Sequence, residues 1–324
     1  MKWLHMALLA LAALTAGTVQ AKQFKLLSGW DPTYPYSQQI VTPFVQEVEK
    51  RTEGRMTFTF NGPETVSPFE QLEPVGAGVF DFLFTHGAYH FGTTPLLTVA
   101  DALDGDLEKV RASGIIDQLD KHYQKYGVKL ILLAMTPEGG YHIFSRFPVS
   151  ADGDLKGRKI RGSPTYGSII EMLGGAMVVL PTPQIYTSLD KGVIDAAANP
   201  VMGALEYRWY EVAKYLLRPS FGAVYYPLFM NLNAWNKLDK RDQDIMTEVA
   251  NDVQARFYSQ TVKLWEEEEK ELISRGMSIT TMGPAQQQKL KKAWTDGVWG
   301  LAASKDPAAT KALREYARKH GLTP

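Results

Sequence analysis

The chain has 324 residues, with 35 basic and 35 acidic side chains and no cysteine. So even a charge balance argues against nucleic acid as a partner. The missing thiols exclude thiol catalysis, cysteine metal centres and disulfides, so stability has to come from packing.

Residues 1–21 read as a secretory signal. Lys2 precedes an apolar run of about ten residues around Met6–Leu14, and Val19-Gln20-Ala21 supplies the small-residue ending, with cleavage after Ala21. A membrane span needs roughly twenty apolar residues, and no later stretch comes near that length. The expectation is a soluble protein exported to the periplasm. Its remaining length suits about two lobes of ordinary domain size.

In chain order, Phe24–Gly29 reads as a short strand, followed by the turn Trp30-Asp31-Pro32-Thr33-Tyr34-Pro35-Tyr36. Ile40, Phe44 and Val48 then share one helical face, and Gly54 stands where a C-terminal cap belongs. Met56–Phe60 alternates apolar and polar residues, the pattern of a half-buried strand. Glu70–Gly78 predicts a helix and Phe80–Phe84 a buried strand. Val128–Met135 is an apolar run suited to the middle of a parallel sheet. A second set follows: a strand near Arg158–Arg161, a helix near Tyr166–Leu173, a strand Ala176–Leu180, a helix Pro183–Lys191 and a strand Val193–Ala197. Alternating strands and helices give an α/β class with largely parallel sheets. Lys240–Arg275 contains neither Gly nor Pro, and as one helix of 36 residues it would run roughly 54 Å. That exceeds one lobe, so it is expected to couple two.

Enzymatic signatures are missing. Gly76-Ala77-Gly78 closes a helix and has no third glycine, so it is not a dinucleotide loop. No phosphate loop and no Gly-x-Ser-x-Gly elbow occurs. His86 and His90 stand four apart, but no Glu follows His86 and a turn is expected there, so no metal site is predicted. The acidic run Glu266–Glu269 reads as a solvated helix face.

Leu155-Lys156-Gly157-Arg158-Lys159-Ile160-Arg161-Gly162-Ser163-Pro164 puts three basic residues on or beside a short strand. At such a strand's end, Arg161 has the geometry to hold a carboxylate through two parallel hydrogen bonds, which Lys cannot reproduce. On chemistry alone, a solvated surface arginine is the better reading.

Leu155–Arg161 resembles the solute-binding proteins of tripartite ATP-independent periplasmic (TRAP) transporters, the dicarboxylate-type receptor family. The likeness extends to Pro181-Thr182-Pro183-Gln184-Ile185-Tyr186-Thr187-Ser188-Leu189-Asp190-Lys191-Gly192-Val193-Ile194-Asp195 and Asn199-Pro200. Phe44–Gly54, Gly78-Val79-Phe80-Asp81, Tyr210–Leu216 and Trp235-Asn236-Lys237-Leu238 fit the same family in order.

The resemblance implies a two-lobed periplasmic binding protein fold with mixed, mainly parallel sheets and a long helix spanning both lobes. Lobe I would comprise 22–138 plus 227–266, and lobe II 139–226 plus 267–324. It implies a receptor rather than an enzyme, one that hands a small carboxylate to TRAP membrane subunits; no cofactor or metal ligand is expected from the residues, and a monomer is the default expectation. Arg161 would bind the carboxylate and Asn199 would be a second contact. His86 and Tyr141 would face the ligand, and Trp30 and Ser67 would lie in segments lining the first lobe's side of the cleft.

Two departures bear on the ligand. Asp195-Ala196-Ala197-Ala198-Asn199-Pro200 lacks the Glu that many relatives carry before the Asn-Pro pair. Tyr141 stands near a position that is basic in some relatives. Together with a possible wall of Trp30, Tyr34, Tyr36, Tyr141, Phe221 and Tyr225, these point to one carboxylate rather than two, on an aromatic or hydroxylated ligand. The competing readings are a receptor for an ATP-driven importer and an exported hydrolase or lyase using His86 with Glu70 or Asp81.

Overall fold

The computed structural model describes residues 21–324. The expected signal segment lies outside them except for Ala21. Eleven strands form two mixed sheets. The first contains β1 (Lys22–Ser28), β2 (Met56–Asn61), β3 (Phe82–Phe84), β4 (Val128–Met135) and β10 (Tyr225–Asn231), in the order β2-β1-β3-β10-β4. The second contains β5 (Tyr141–Ser145), β6 (Lys159–Gly162), β7 (Ala176–Val179), β8 (Ala196–Pro200), β9 (Tyr215–Phe221) and β11 (Ser278–Thr281), in the order β11-β9-β5-β8-β6-β7.

Parallel pairing holds for β1 with β2 and β3, β6 with β7 and β8, and β9 with β11; the other pairings are antiparallel. The chain passes between the sheets three times: from β4 to β5, from β9 to β10, and along the helix Lys240–Ser274. That topology leaves a cleft between two lobes.

The expectation for β4 needs correction. It is an edge strand, paired antiparallel with β10 alone. β10, buried at all seven residues, returns from the second lobe and inserts between β3 and β4. The apolar run of β4 reflects the helices packed against it, Ile115–Tyr123 and Lys240–Ser274, rather than flanking strands. Its one charged residue, Lys129, reaches Asp120 at 2.6 Å.

Strand β8 starts three residues later than predicted, because Val193 is an exposed turn residue and Ile194 is buried ahead of the strand. Strands β5, β9, β10 and β11 were not predicted as elements. The first lobe also takes in Tyr225 and Tyr226, ahead of the expected boundary at 227. The final helix, Pro307–Lys319, does not stay with the second lobe as expected for 267–324. Tyr316 Oη donates to Ser113 O at 2.7 Å, Lys109 Nζ donates to Gly321 O at 2.7 Å, and Asp104 N donates to Leu322 O at 2.7 Å. Leu313 and Ala317 on its apolar face are buried.

The long helix has 35 residues, one fewer than predicted. Asp239 caps it by accepting from Asp242 N at 2.8 Å, satisfying one of the open N–H groups of the first turn. Its first half belongs to the first lobe. Arg55 grips Asp242 through both guanidinium ends at 2.9 and 2.7 Å, and Met246, Val249, Val253 and Phe257 are buried. Its second half reaches the second lobe. Glu268 accepts from Gly203 N at 3.1 Å and Leu205 N at 2.9 Å, and Glu269 pairs with Arg218.

Burial of the Glu268 carboxyl outweighs these backbone donors and lifts it from 4.5 to about 7. The native state therefore holds the extra proton in the window from about 4.5 to 7, so stability falls as pH rises through it. Chemical denaturation from pH 5 to 8 is expected to show a loss of up to about 3 kcal/mol. Glu268→Gln, which keeps an acceptor for Gly203 N, should flatten that slope.

Candidate binding cavity between the lobes

Five of the six predicted site residues come together. Trp30 and His86 from the first lobe and Tyr141, Arg161 and Asn199 from the second line one cavity with an empty volume of about 300 Å³. That figure counts open solvent as well; the room for the centre of a water molecule is only about 20 Å³, the space of about one water. Ser67 is exposed in front of the turn Pro68–Glu70 and does not line it.

Seven lining residues were not predicted as ligand contacts: Tyr89, Ser163, Tyr166, Thr182, Pro200, Val224 and Tyr226. Of the expected aromatic wall, Trp30, Tyr34 and Tyr141 face the cavity. Tyr36 instead stacks behind Tyr226 at 4.3 Å between ring centroids, and Phe221 lines a separate cleft beside the inter-lobe crossings.

Arg161 sits in β6, paired with Val178 of β7 and Ala197 of β8. It is only 1% exposed and, among the described residues, makes no ion pair, so the reading as a solvated surface arginine is excluded. Nε donates to Leu180 O at 2.8 Å, and Nη1 donates to Ala198 O at 2.7 Å and Asn199 Oδ1 at 3.0 Å. Nη2 has only the long contact to Thr182 Oγ1 at 3.4 Å.

Three of the five guanidinium hydrogens are thus committed, and the free donors are on Nη2. This corrects the expectation of a fork open for two parallel bonds. A carboxylate meets Nη2 first, and a second bond requires it to replace Asn199 or a backbone acceptor. A buried cation without a counter-charge is costly, which is the strongest physical sign that the cavity is built for an anion.

Asn199 and Thr182 hold the guanidinium in place. Thr182 Oγ1 donates to Asn199 Oδ1 at 3.1 Å, and Asn199 Nδ2 donates to Pro200 O at 3.1 Å. Across the cleft, Tyr89 Oη meets Thr182 Oγ1 at 2.9 Å, so the Arg161 cluster is tied directly to the first lobe.

The opposite wall centres on His86. Its Nδ1 accepts from Ala88 N at 3.2 Å, which assigns the ring proton to Nε2. Nε2 lies 2.9 Å from Tyr141 Oη and 3.1 Å from Asp101 Oδ2, and Tyr141 Oη donates to Asp101 Oδ2 at 2.9 Å. His90 does not join it. Its Nε2 meets Tyr123 Oη at 2.6 Å and burial lowers its pKa to about 3, so the two imidazoles share no site. No cluster of three metal-binding side chains occurs among the described residues. Burial raises Tyr34, Tyr141, Tyr166 and Tyr226 well above the ordinary phenol value, so they act as neutral groups.

Residues 28–301 match the DctP family, bacterial extracellular solute-binding protein, family 7. The chain belongs to this family. These proteins are binding proteins, not enzymes, and the resemblance to TRAP solute receptors holds. A solute-binding protein of Albidiferax ferrireducens is 29% identical over 231 residues, 68% of this chain and 67% of its own. The monocarboxylate 2-oxoacid-binding periplasmic protein of a Nostoc species is 26% identical over 84% of this chain and 77% of its own. Among solved structures, the Bordetella pertussis extracytoplasmic solute receptor binding pyroglutamic acid superposes with a TM-score of 0.80 at 18% identity, over 92% of this receptor and 100% of that chain. No helix of the described residues is long and apolar enough to cross a membrane.

Proposed function

We propose that this receptor works in the periplasm as a monomer, captures a small monocarboxylate carrying a further oxygen, and delivers it to TRAP membrane subunits. The observation that carries the carboxylate is Arg161, buried, without a counter-ion among the described residues and with Nη2 held only by a long contact to Thr182 Oγ1. Among the described residues Arg161 is the only Lys or Arg lining the cavity, and burying a second carboxylate without a partner is costly.

The further oxygen rests on two buried polar groups of the lining. Trp30 Nε1 has no hydrogen-bond partner among the described residues, and Tyr226 Oη has only Tyr36 Oη beside it. Indole N–H is a donor only, so it calls for an acceptor on the ligand. A hydroxyl or oxo oxygen supplies one, in keeping with the 2-oxoacid named for the Nostoc relative. Trp30, Tyr34, Tyr89 and Tyr226 give an aromatic lining for the remainder of the molecule.

Calorimetry with butanoate, 2-hydroxybutanoate and 2-oxobutanoate tests the reading. The oxygenated acids should bind about tenfold tighter than butanoate, and Tyr226→Phe or Trp30→Phe should reduce that advantage. Equal affinity for all three acids would remove the oxygen from the proposal.

A further inference from the structure

We propose that Asp101 is a specificity-determining residue, which restricts the cavity to ligands with a single negative charge. This rests on the monocarboxylate reading above and supplies a mechanism for it. Asp101 is only 2% exposed and lies one side chain behind the wall opposite Arg161. Tyr141 Oη donates to its Oδ2 at 2.9 Å, His86 Nε2 lies 3.1 Å from the same oxygen, and Tyr225 N donates to Oδ1 at 3.2 Å. Two hydrogen bonds thus reach its two oxygens, and His86 Nε2, which bonds Tyr141 Oη at 2.9 Å, stands beside them.

The wall formed by His86 and Tyr141 would otherwise be well suited to bind an anion, since it offers an imidazole N–H and a phenol O–H. Both protons are spent within the wall: His86 Nε2–H donates to Tyr141 Oη, and Tyr141 Oη donates in turn to Asp101 Oδ2. His86 cannot turn its other nitrogen to the task, because Nδ1 already accepts from Ala88 N. The surface left toward the cavity is the remaining lone pair of Tyr141 Oη, backed by a negative charge. A second carboxylate on the ligand would meet electron-rich oxygen and like charge in a dry setting, where Coulomb repulsion is weakly screened.

Charge counting agrees. Arg161 and Asp101 leave the wall groups neutral overall, and one ligand carboxylate already adds a negative charge. A second would be buried without compensation. Asp101 also joins the lobes, because it reaches Tyr141 of β5 from the first lobe. Discrimination is therefore imposed in the closed form, where the ligand is enclosed.

The test is calorimetry with two matched pairs that differ by a methyl against a second carboxylate: 2-oxopentanoate with 2-oxoglutarate, and 2-hydroxybutanoate with malate. The wild-type receptor should favour the monoacid of each pair by about tenfold or more. Asp101→Asn should cut that preference at least about tenfold, chiefly by tightening the diacid. Asp101→Glu should restore the preference, which loss of structure alone would not do. Asp101→Ser carries the same expectation should Asp101→Asn fail to fold.

A preference unchanged in a folded Asp101→Asn protein, or equal weakening of monoacid and diacid, would overturn the role of Asp101. A wild-type receptor that binds the diacid as tightly as the monoacid would overturn the single-charge reading beneath it. Failure of all four acids to bind would count against the carboxylate site itself.

Discussion

Arg161→Ala is expected to weaken ligand binding by about 100- to 1,000-fold, because it leaves the ligand carboxylate buried without its partner, a loss of roughly 3–4 kcal/mol. Arg161→Lys should recover little. Lysine cannot satisfy Leu180 O, Ala198 O and Asn199 Oδ1 while also presenting a free donor to the ligand. The unliganded variant should remain folded, because the native protein buries this cation without an ion-pair partner and removing it relieves that cost. The diagnostic pattern is a melting temperature near that of the wild type together with loss of the ligand-induced increase. Unchanged affinity by calorimetry would sink the assignment of Arg161.

Gly203→Ala should damage both stability and binding, for a reason that lies in the backbone. Gly203 has φ +100°, a conformation L-residues rarely adopt, and a Cβ there would stand 2.3 Å from Tyr34 Cε2. Strain and overpacking together are expected to cost about 3 kcal/mol or more. The collision falls on a ring that lines the cavity, and the same segment carries Tyr207, whose Oη donates to Asp31 across the cleft at 2.7 Å. Denaturant unfolding should show the stability loss, and calorimetry at a temperature where the variant is folded should show weakened binding. Full retention of both would mean that the segment moves away from Tyr34 without cost.

Local periodicity made much of the fold legible. The 3.6-residue repeat and the absence of Gly and Pro predicted the long helix to within a residue. Alternation predicted β2, which came out one residue longer than expected. β4 misled because an apolar run records burial on its faces and carries no information about which strands lie beside it. Its neighbour β10 arrives from 90 residues later in sequence, and no local pattern marks that insertion. The last helix went astray for a similar reason, since docking against Ser113 and Asp104 depends on a long-range return of the chain.

In the site, Arg161 and Asn199 were readable only through the spacing of several motifs, since strand alternation gave a direction and no environment. Asp101 had no sequence signal. It is a lone acid in Val99-Ala100-Asp101-Ala102, and its meaning comes from two side chains, His86 and Tyr141, that approach from separate elements. Trp30 was expected in the cleft wall, but neither the unpaired state of its Nε1 nor the place of Tyr226 in the lining could be read from the sequence. Commitment of the Arg161 donors to Leu180, Ala198 and Asn199 was equally invisible, and it replaced an open fork with a single ready nitrogen.

The most direct test of the central claim is mass spectrometry of the small molecule released when the receptor, purified natively from its own periplasm, is denatured. The account predicts one stoichiometric species with a single carboxylate and at least one additional oxygen. A stoichiometric ligand lacking any carboxylate would contradict it.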